Sequence, residues 1–159
     1  KEFKKNEIFL YKGSKYRLNF HAKKSSLVYL DGKLIFVNKF NKSSKTKILL
    51  ESFFRTKSQE LLNERTLFFS KTIGVRPSKV IVRFYRRRWG SCSYKGNISY
   101  NWMLIFAPIS VIDYVVIHEL CHLVEMNHSK RFWKLVEKAD PNYKEHITWL
   151  KNHQHWLKI

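Results

Sequence analysis

The stretch His118-Glu119-Leu120-Cys121-His122-Leu123-Val124-Glu125-Met126-Asn127-His128-Ser129 concentrates groups that bind metals and move protons. On an α-helix, residues four apart lie about 40° apart in projection and about 6 Å apart along the axis. His118 and His122 therefore leave one face, where their imidazoles can converge on a single ion. Glu119 stands about 100° round, near enough to hold a metal-bound water without ligating. This is the mechanical content of His-Glu-x-x-His as a zinc motif. Continued helix would carry His128 to the far side, because six residues turn about 600°. A third ligand at that spacing requires the helix to end near Glu125–Asn127 and the chain to turn back. Asn127 tolerates the left-handed conformation that stops helices, and Ser129 reads as the N-cap of the next one.

The competing reading is two core histidines and a helix-surface glutamate. With 7 His and 9 Glu in 159 residues, a chance His-Glu-x-x-His is expected about 2% of the time. The preceding Tyr114-Val115-Val116-Ile117 is apolar all round, so this part of the helix is buried. Ionisable groups directly after a buried run cost free energy unless something binds them. The metal site is the better reading.

The elements that must position these residues follow from periodicity. Ile8–Tyr11, Tyr16–Phe20, Leu27–Leu30 and Leu34–Val37 are β-rich, and Asp31-Gly32 is a tight-hairpin signal, giving a basic antiparallel β-meander over 1–42. Leu50, Phe53, Phe54, Leu61 and Phe68 then recur at helical spacing, predicting a long helix over 44–74 that stops at Gly74 with Pro77 beyond. The hairpin and zinc-binding helical part occupies 79–159. Within it Val80–Tyr85 is a strand, Arg86–Cys92 a turn and Asn97–Tyr100 a short returning strand. Pro108 opens the histidine helix, and further helices cover about Lys130–Lys138 and Tyr143–Trp156, separated by Asp140-Pro141. The order argues for one α+β domain over 1–159, with small antiparallel hairpins packed on a helical core.

On these residues the chain resembles a known family. RRRWGSC at 86–92, GNISYNWMLIFAP at 96–108, VIDYVVIHELCHLVEMNHSKRFW at 111–133 and a late WL are similar to the YgjP-like metallopeptidase-type domain. That domain looks like a relative of the zincins, near in plan to the SprT and WLM types. The resemblance spans most of the chain and is strongest over 83–157. It implies zinc held by His118, His122 and His128, with Glu119 as general base. One departure is Cys121, where small residues such as alanine are usual; a buried thiol fills that space.

The chemistry so implied is metal-assisted hydrolysis. Three neutral imidazoles leave zinc a fourth position for water and lower that water's pKa, and Glu119 would move its proton to the leaving group. Arg88, Tyr100, Tyr143 and His146 are the candidates for stabilising the oxyanion, and Arg88 is the candidate substrate-binding residue. Arg83, Arg86, Arg87 and Arg88 either line an anionic substrate channel or simply face solvent. Trp89 reads as packing under the metal helix, Phe132 and Trp133 as packing over the site, and Cys92 as a structural thiol. His146, His153 and His155 read as surface or core histidines.

The activity expected is that of a zinc metallopeptidase acting on peptide or protein. The alternatives are a metal-dependent hydrolase of a nucleotide or other phosphorylated substrate, and a nucleic-acid-associated zinc protein. A short strand near Asn97–Tyr100 beside the metal helix would favour peptide, bound as an added strand. A closed pocket walled by Arg86–Arg88 would favour phosphate.

Composition bounds these readings. The chain is 44% apolar and 16% aromatic, a folded composition, and 159 residues can bury a core without staples. No apolar run approaches the roughly 18 residues of a membrane span, and Lys1–Lys5 has no leader-like pattern. Cys92 and Cys121 are too few for a disulfide framework, so a cytoplasmic location is expected. The net charge is +19, of which +17 falls in residues 1–90. Such a field attracts polyanions. Phe9, Tyr11, Tyr16 and Phe20 interleave there with Lys12, Lys15, Arg17, Lys23 and Lys24, a pattern suited to single-stranded nucleic acid if the rings are exposed. The bland reading is a solvated, lysine-rich surface.

Overall fold

The computed structural model describes residues 1–22, 26–39, 43–155 and 157–159. It is α+β, as the pattern of periods requires. Strands β1 (Ile8–Tyr11), β2 (Ser14–His21), β3 (Val28–Asp31) and β4 (Leu34–Asn38) form one sheet. Side chains alternate along each strand, which sends Leu18, Ile35 and Val37 to a face where none is exposed.

Two antiparallel pairs form, the hairpin expected at Asp31-Gly32 between β3 and β4, and β1 with β2. They do not continue into an antiparallel meander. The strand order is β1-β2-β4-β3, and β2 runs parallel to β4, pairing Leu18 with Ile35 and Phe20 with Val37. This arrangement gathers the most apolar strand residues at the sheet centre and leaves half-buried β3 on the edge. Alternation within a strand specifies its buried face, not its neighbour.

Helix α1 (Ser43–Ile73) lies where the periodicity places it. Its buried stripe runs Leu50, Phe54, Ser58, Leu61, Leu62, Thr66 and Phe69. Phe68, expected in the core, is 52% exposed, because Phe69 lies about 100° further round and takes the inward position.

A second sheet joins β5 (Lys79–Arg83), β6 (Gly90–Cys92) and β7 (Asn97–Asn101) in the order β5-β7-β6. Strand β7 is central, parallel to β5 and antiparallel to β6. The segment expected as a turn through Cys92 thus ends in a strand. Gly-Ser-Cys has no apolar alternation to announce it, and backbone pairing with β7 alone makes it.

A buried 3₁₀ turn, Trp102–Phe106, then leads to helix α2 (Ile109–Cys121). The β1–β2 turn docks here, Lys12 N–H donating to Ile105 O and Gly13 N–H to Phe106 O. Gly13 has φ +76°, and a Cβ there would stand 2.8 Å from Pro108 Cγ, so only glycine lets the turn press on the residue that opens α2. Along α2, Val111, Ile112, Tyr114 to Ile117, Leu120 and Cys121 are all buried. Arg65 of α1 forks onto Asp113 of α2, Nε to Oδ1 at 2.7 Å and Nη2 to Oδ2 at 2.9 Å. Helices α3 (Lys130–Ala139) and α4 (Tyr143–His153) complete the chain. Helix α4 ends at His153, short of the expected end near Trp156, which itself lies outside the described residues. Among those described, no helix is long and apolar enough to cross a membrane.

Candidate metal centre

Helix α2 delivers His118, Glu119 and, at its C-cap, His122. It stops at Cys121, earlier than the Glu125–Asn127 region expected. The last turn tightens: the N–H groups of His122, Leu123 and Val124 donate three residues back, to the carbonyls of Glu119, Leu120 and Cys121. Asn127 does not supply a left-handed stop. Positive φ outside glycine occurs, among the described residues, only at Phe3, Asn6 and Lys12. The reversal is instead fixed by His122, whose Nδ1–H donates to Glu125 O at 3.1 Å. Ser129 is the N-cap of α3, its Oγ accepting from Phe132 N–H at 3.3 Å, as expected.

These turns bring His128 back onto the other two histidines. Its Nε2 is 3.1 Å from Nε2 of His122 and 3.2 Å from Nε2 of His118. Two nitrogens bound tetrahedrally to one zinc at 2.0–2.1 Å stand about 3.3 Å apart. The spacing therefore fits one metal ion. Among the described residues this is the one cluster of three such donors.

The ring nitrogens facing away agree with that fit. His118 Nδ1 is 3.2 Å from the Tyr114 hydroxyl, one turn earlier on α2. With Nδ1–H of His118 and His122 donating outward, each Nε2 keeps its lone pair for the centre. Burial, then the neighbouring imidazoles, lowers the His118 pKa to about 3, so the ring is neutral and able to ligate. Phe132 is fully buried against all three rings, with centroids 4.4 Å from His122 and 5.0 Å from His118 and His128. Trp133 stacks on His128 at 6.0 Å. Both aromatics close over the site as expected.

Glu119 is 6% exposed, and burial raises its pKa to about 8 while the Arg88 charge pulls the other way. A dication held by the histidines would favour the carboxylate further. Its side chain lies on the backbone of Gly90, the first residue of β6. Gly90 and Tyr114 are not among the candidate site residues that the sequence marks. The i, i+4 spacing of Tyr114 and His118 could have revealed the second; nothing local reveals the first.

Strand β6 is an edge beside α2. Asn101 N–H donates to Trp89 O and Ser93 N–H donates to Asn97 O, so the pairs at 89, 91 and 93 face β7. By alternation, Gly90 and Cys92 direct their N–H and C=O groups to the open edge. The strand at the rim is therefore β6, not Asn97–Tyr100, which is central. On one side of the site a cavity of about 360 Å³ is walled by Trp89, Val115, Ile147 and Leu150 and reaches His118 and Glu119. On the other, about 300 Å³ is bounded by Ser91, Cys92, Met126 and His128.

The remaining candidates separate on their contacts. Tyr100 is fully buried and accepts from Thr66 Oγ1 at 3.0 Å. Tyr143 stacks on Trp133 at 5.3 Å, and His146 Nδ1 pairs with Asp140 Oδ2 at 2.7 Å. Arg88 lines both cavities at the centre. Trp89 packs against the core as expected and also lines the 360 Å³ cavity beside α2. Burial and the Glu119 charge push the Cys92 thiol up to about 11, which favours its protonated form. His153 Nδ1–H donates to Trp149 O at 2.9 Å, and His155 lines a separate cavity.

Of the rings offered for nucleic acid, Phe9 is 1% and Tyr11 7% exposed, while Tyr16 and Phe20 are half-buried. The core claims two of the four. Lys23 and Lys24 lie outside the described residues.

No curated protein matches the chain. Among solved structures, it is similar to the metallopeptidase zymogen abylysin from Pyrococcus abyssi, with 26% identity and a TM-score of 0.50. That match covers 61% of this chain and 95% of abylysin. Residues 1–153 match the YgjP-like metallopeptidase domain, so the chain belongs to that family and is an enzyme of the metallopeptidase class.

Proposed function

We propose that the chain is a zinc-dependent metallopeptidase in which His118, His122 and His128 hold the metal and Glu119 is the general base. The observation that carries this reading is the convergence of three imidazole Nε2 atoms beside a buried carboxylate and an open strand edge. Neutral nitrogen donors at tetrahedral spacing suit zinc.

Bound zinc would supply Lewis acidity, polarising the scissile carbonyl and making a nearby water acidic. The substrate main chain adds to the open edge of β6, exchanging hydrogen bonds with Gly90 and Cys92. Its side chain beside the scissile bond enters the apolar pocket of Trp89, Val115, Ile147 and Leu150. Glu119 takes a proton from the attacking water and returns it to the leaving amine. Arg88 faces the same space and offsets the negative charge that develops. Both thiols are free, which suits a reducing compartment such as the cytoplasm. Mass spectrometry of an unfolded protein incubated with zinc-loaded enzyme tests the reading, and internal cleavage products are expected.

A second reading is favoured by one observation. A cavity of about 560 Å³ beside the site is lined by Arg86, Arg87, Arg88 and Lys158, a setting that also suits a phosphorylated or nucleotide substrate. A nucleotide panel run alongside separates the two: turnover of a nucleotide with the protein left uncut selects the second.

A further inference from the structure

The arginine-lined cavity is distinct from the metal site but shares Arg88 and Trp89 with the pocket that reaches Glu119. Its lining contains Arg86, Arg87, Arg88 and Lys158 and no aspartate or glutamate. The ion pairs among the described residues use other cations; Arg88 also acts on Glu119 through its charge, while Arg86, Arg87 and Lys158 form none of these pairs. Unpaired arginines are ordinary on open surfaces. The loop carrying these three is not an ordinary surface loop.

Asn101, 3% exposed, closes it from beneath. The Asn101 carboxamide N–H groups donate to Tyr85 O at 2.9 Å and Arg88 O at 3.1 Å, and its Oδ1 accepts from Met103 N–H. The Tyr85 hydroxyl hydrogen-bonds Ser91 Oγ at 3.0 Å. A buried amide thus fixes both ends of a three-arginine turn, and preorganised donors bind with less loss of freedom than free ones. The turn leads directly into β6. A main chain added along that edge passes Arg88 within about two residues, or roughly 7 Å, of Gly90.

We propose that this cavity is a subsite for acidic side chains, in which Arg86, Arg87 and Lys158 receive an aspartate or glutamate near the scissile bond, so that acidic peptide segments are the preferred substrates. The inference rests on the peptidase reading. Guanidinium groups bind carboxylates through paired N–H donors, which gives direction as well as charge.

The test uses zinc-loaded Glu119→Gln protein, so that binding is read without turnover. Fluorescence anisotropy compares one labelled peptide carrying glutamates with its glutamine counterpart, at about 50 mM salt, where charge contacts are only partly screened. The glutamate peptide should bind at least about tenfold tighter, the scale of one or two charge-assisted hydrogen bonds. Arg86→Ala with Arg87→Ala should bring the ratio near one, and Lys158→Glu, on a separate segment, should lower it independently. Equal binding of the two peptides, or a ratio that survives these substitutions, overturns the proposal. Displacement of the peptide by a nucleoside triphosphate at far lower concentration, lost in the same variants, assigns the cavity to phosphate and also overturns it. If wild type binds acidic peptide selectively but cuts none, the peptidase reading fails while the subsite stands.

Discussion

The side chain of Glu119 rests on the backbone of Gly90. A Cβ built at position 90 would stand 2.9 Å from Glu119 Cγ, closer than real Cβ contacts come, and 3.0 Å from Oε1, tighter than most. Helix α2 and strand β6 therefore meet through a position with no side chain, and that absence makes room for the Glu119 side chain against the strand. Gly90 is here for close approach, not for a left-handed backbone.

Gly90→Ala is accordingly expected to displace the Glu119 carboxylate and leave the imidazoles in place. Peptidase kcat should fall by roughly 10²-fold, the cost of misplacing a catalytic group by about 1 Å. Zinc content measured on the same sample should be unchanged. A variant with wild-type kcat would show that the contact does not position Glu119.

Metal content separates the ligands. Protein purified without added metal should carry about one equivalent of zinc, the three-ligand catalytic pattern. His118→Ala, His122→Ala and His128→Ala should each lose it. If His128→Ala keeps full zinc content while His118→Ala abolishes it, His128 is not a ligand.

The Tyr114 hydroxyl hydrogen-bonds His118 Nδ1, and the residue also lines the cavity that reaches Glu119. Removing its hydroxyl in Tyr114→Phe is expected to weaken zinc affinity by about 10- to 100-fold, as outer-shell partners do. Competition with a chromogenic chelator measures this. Unchanged affinity would mean that packing of the ring, not the hydrogen bond, orients His118.

The legibility of the chain follows from which interactions are local. His118, Glu119 and His122 lie within two helical turns, and only five residues separate His122 from His128, so these residues could be read from sequence. The buried stripe of α1 could be read too, apart from the phase that exchanges Phe68 for Phe69. What could not be read lies between distant segments. Pairing of β2 with β4 depends on which strand edges meet, the β6 edge on backbone hydrogen bonds to β7, and the Gly90–Glu119 contact on two elements nearly thirty residues apart. The basic field was legible as charge but not as shape. The carboxamide of Asn101 gives the arginine turn its form, and it acts through carbonyls that no side-chain pattern marks.

Asp113 tests the frame that holds α2. Its side chain is 18% exposed and takes two hydrogen bonds from Arg65 of α1. Asp113→Ala leaves a half-buried guanidinium without its partner and should cost about 2 kcal/mol of unfolding free energy, the range for hydrogen bonds to charged groups. Urea denaturation reads it as a lower midpoint with unchanged slope. A loss within about 0.5 kcal/mol, typical of neutral surface changes, would show that the pair does not anchor the helix.

The account stands most directly on Glu119. Zinc-loaded wild type and Glu119→Gln protein, matched in metal content and in circular dichroism, should be incubated with the same unfolded protein and the appearance of cleaved peptides followed with time. The wild type is expected to cut, and Glu119→Gln to retain zinc and fold while losing about 10²-fold or more of the rate, as removal of a general base requires. Equal rates for the two proteins would contradict the mechanism.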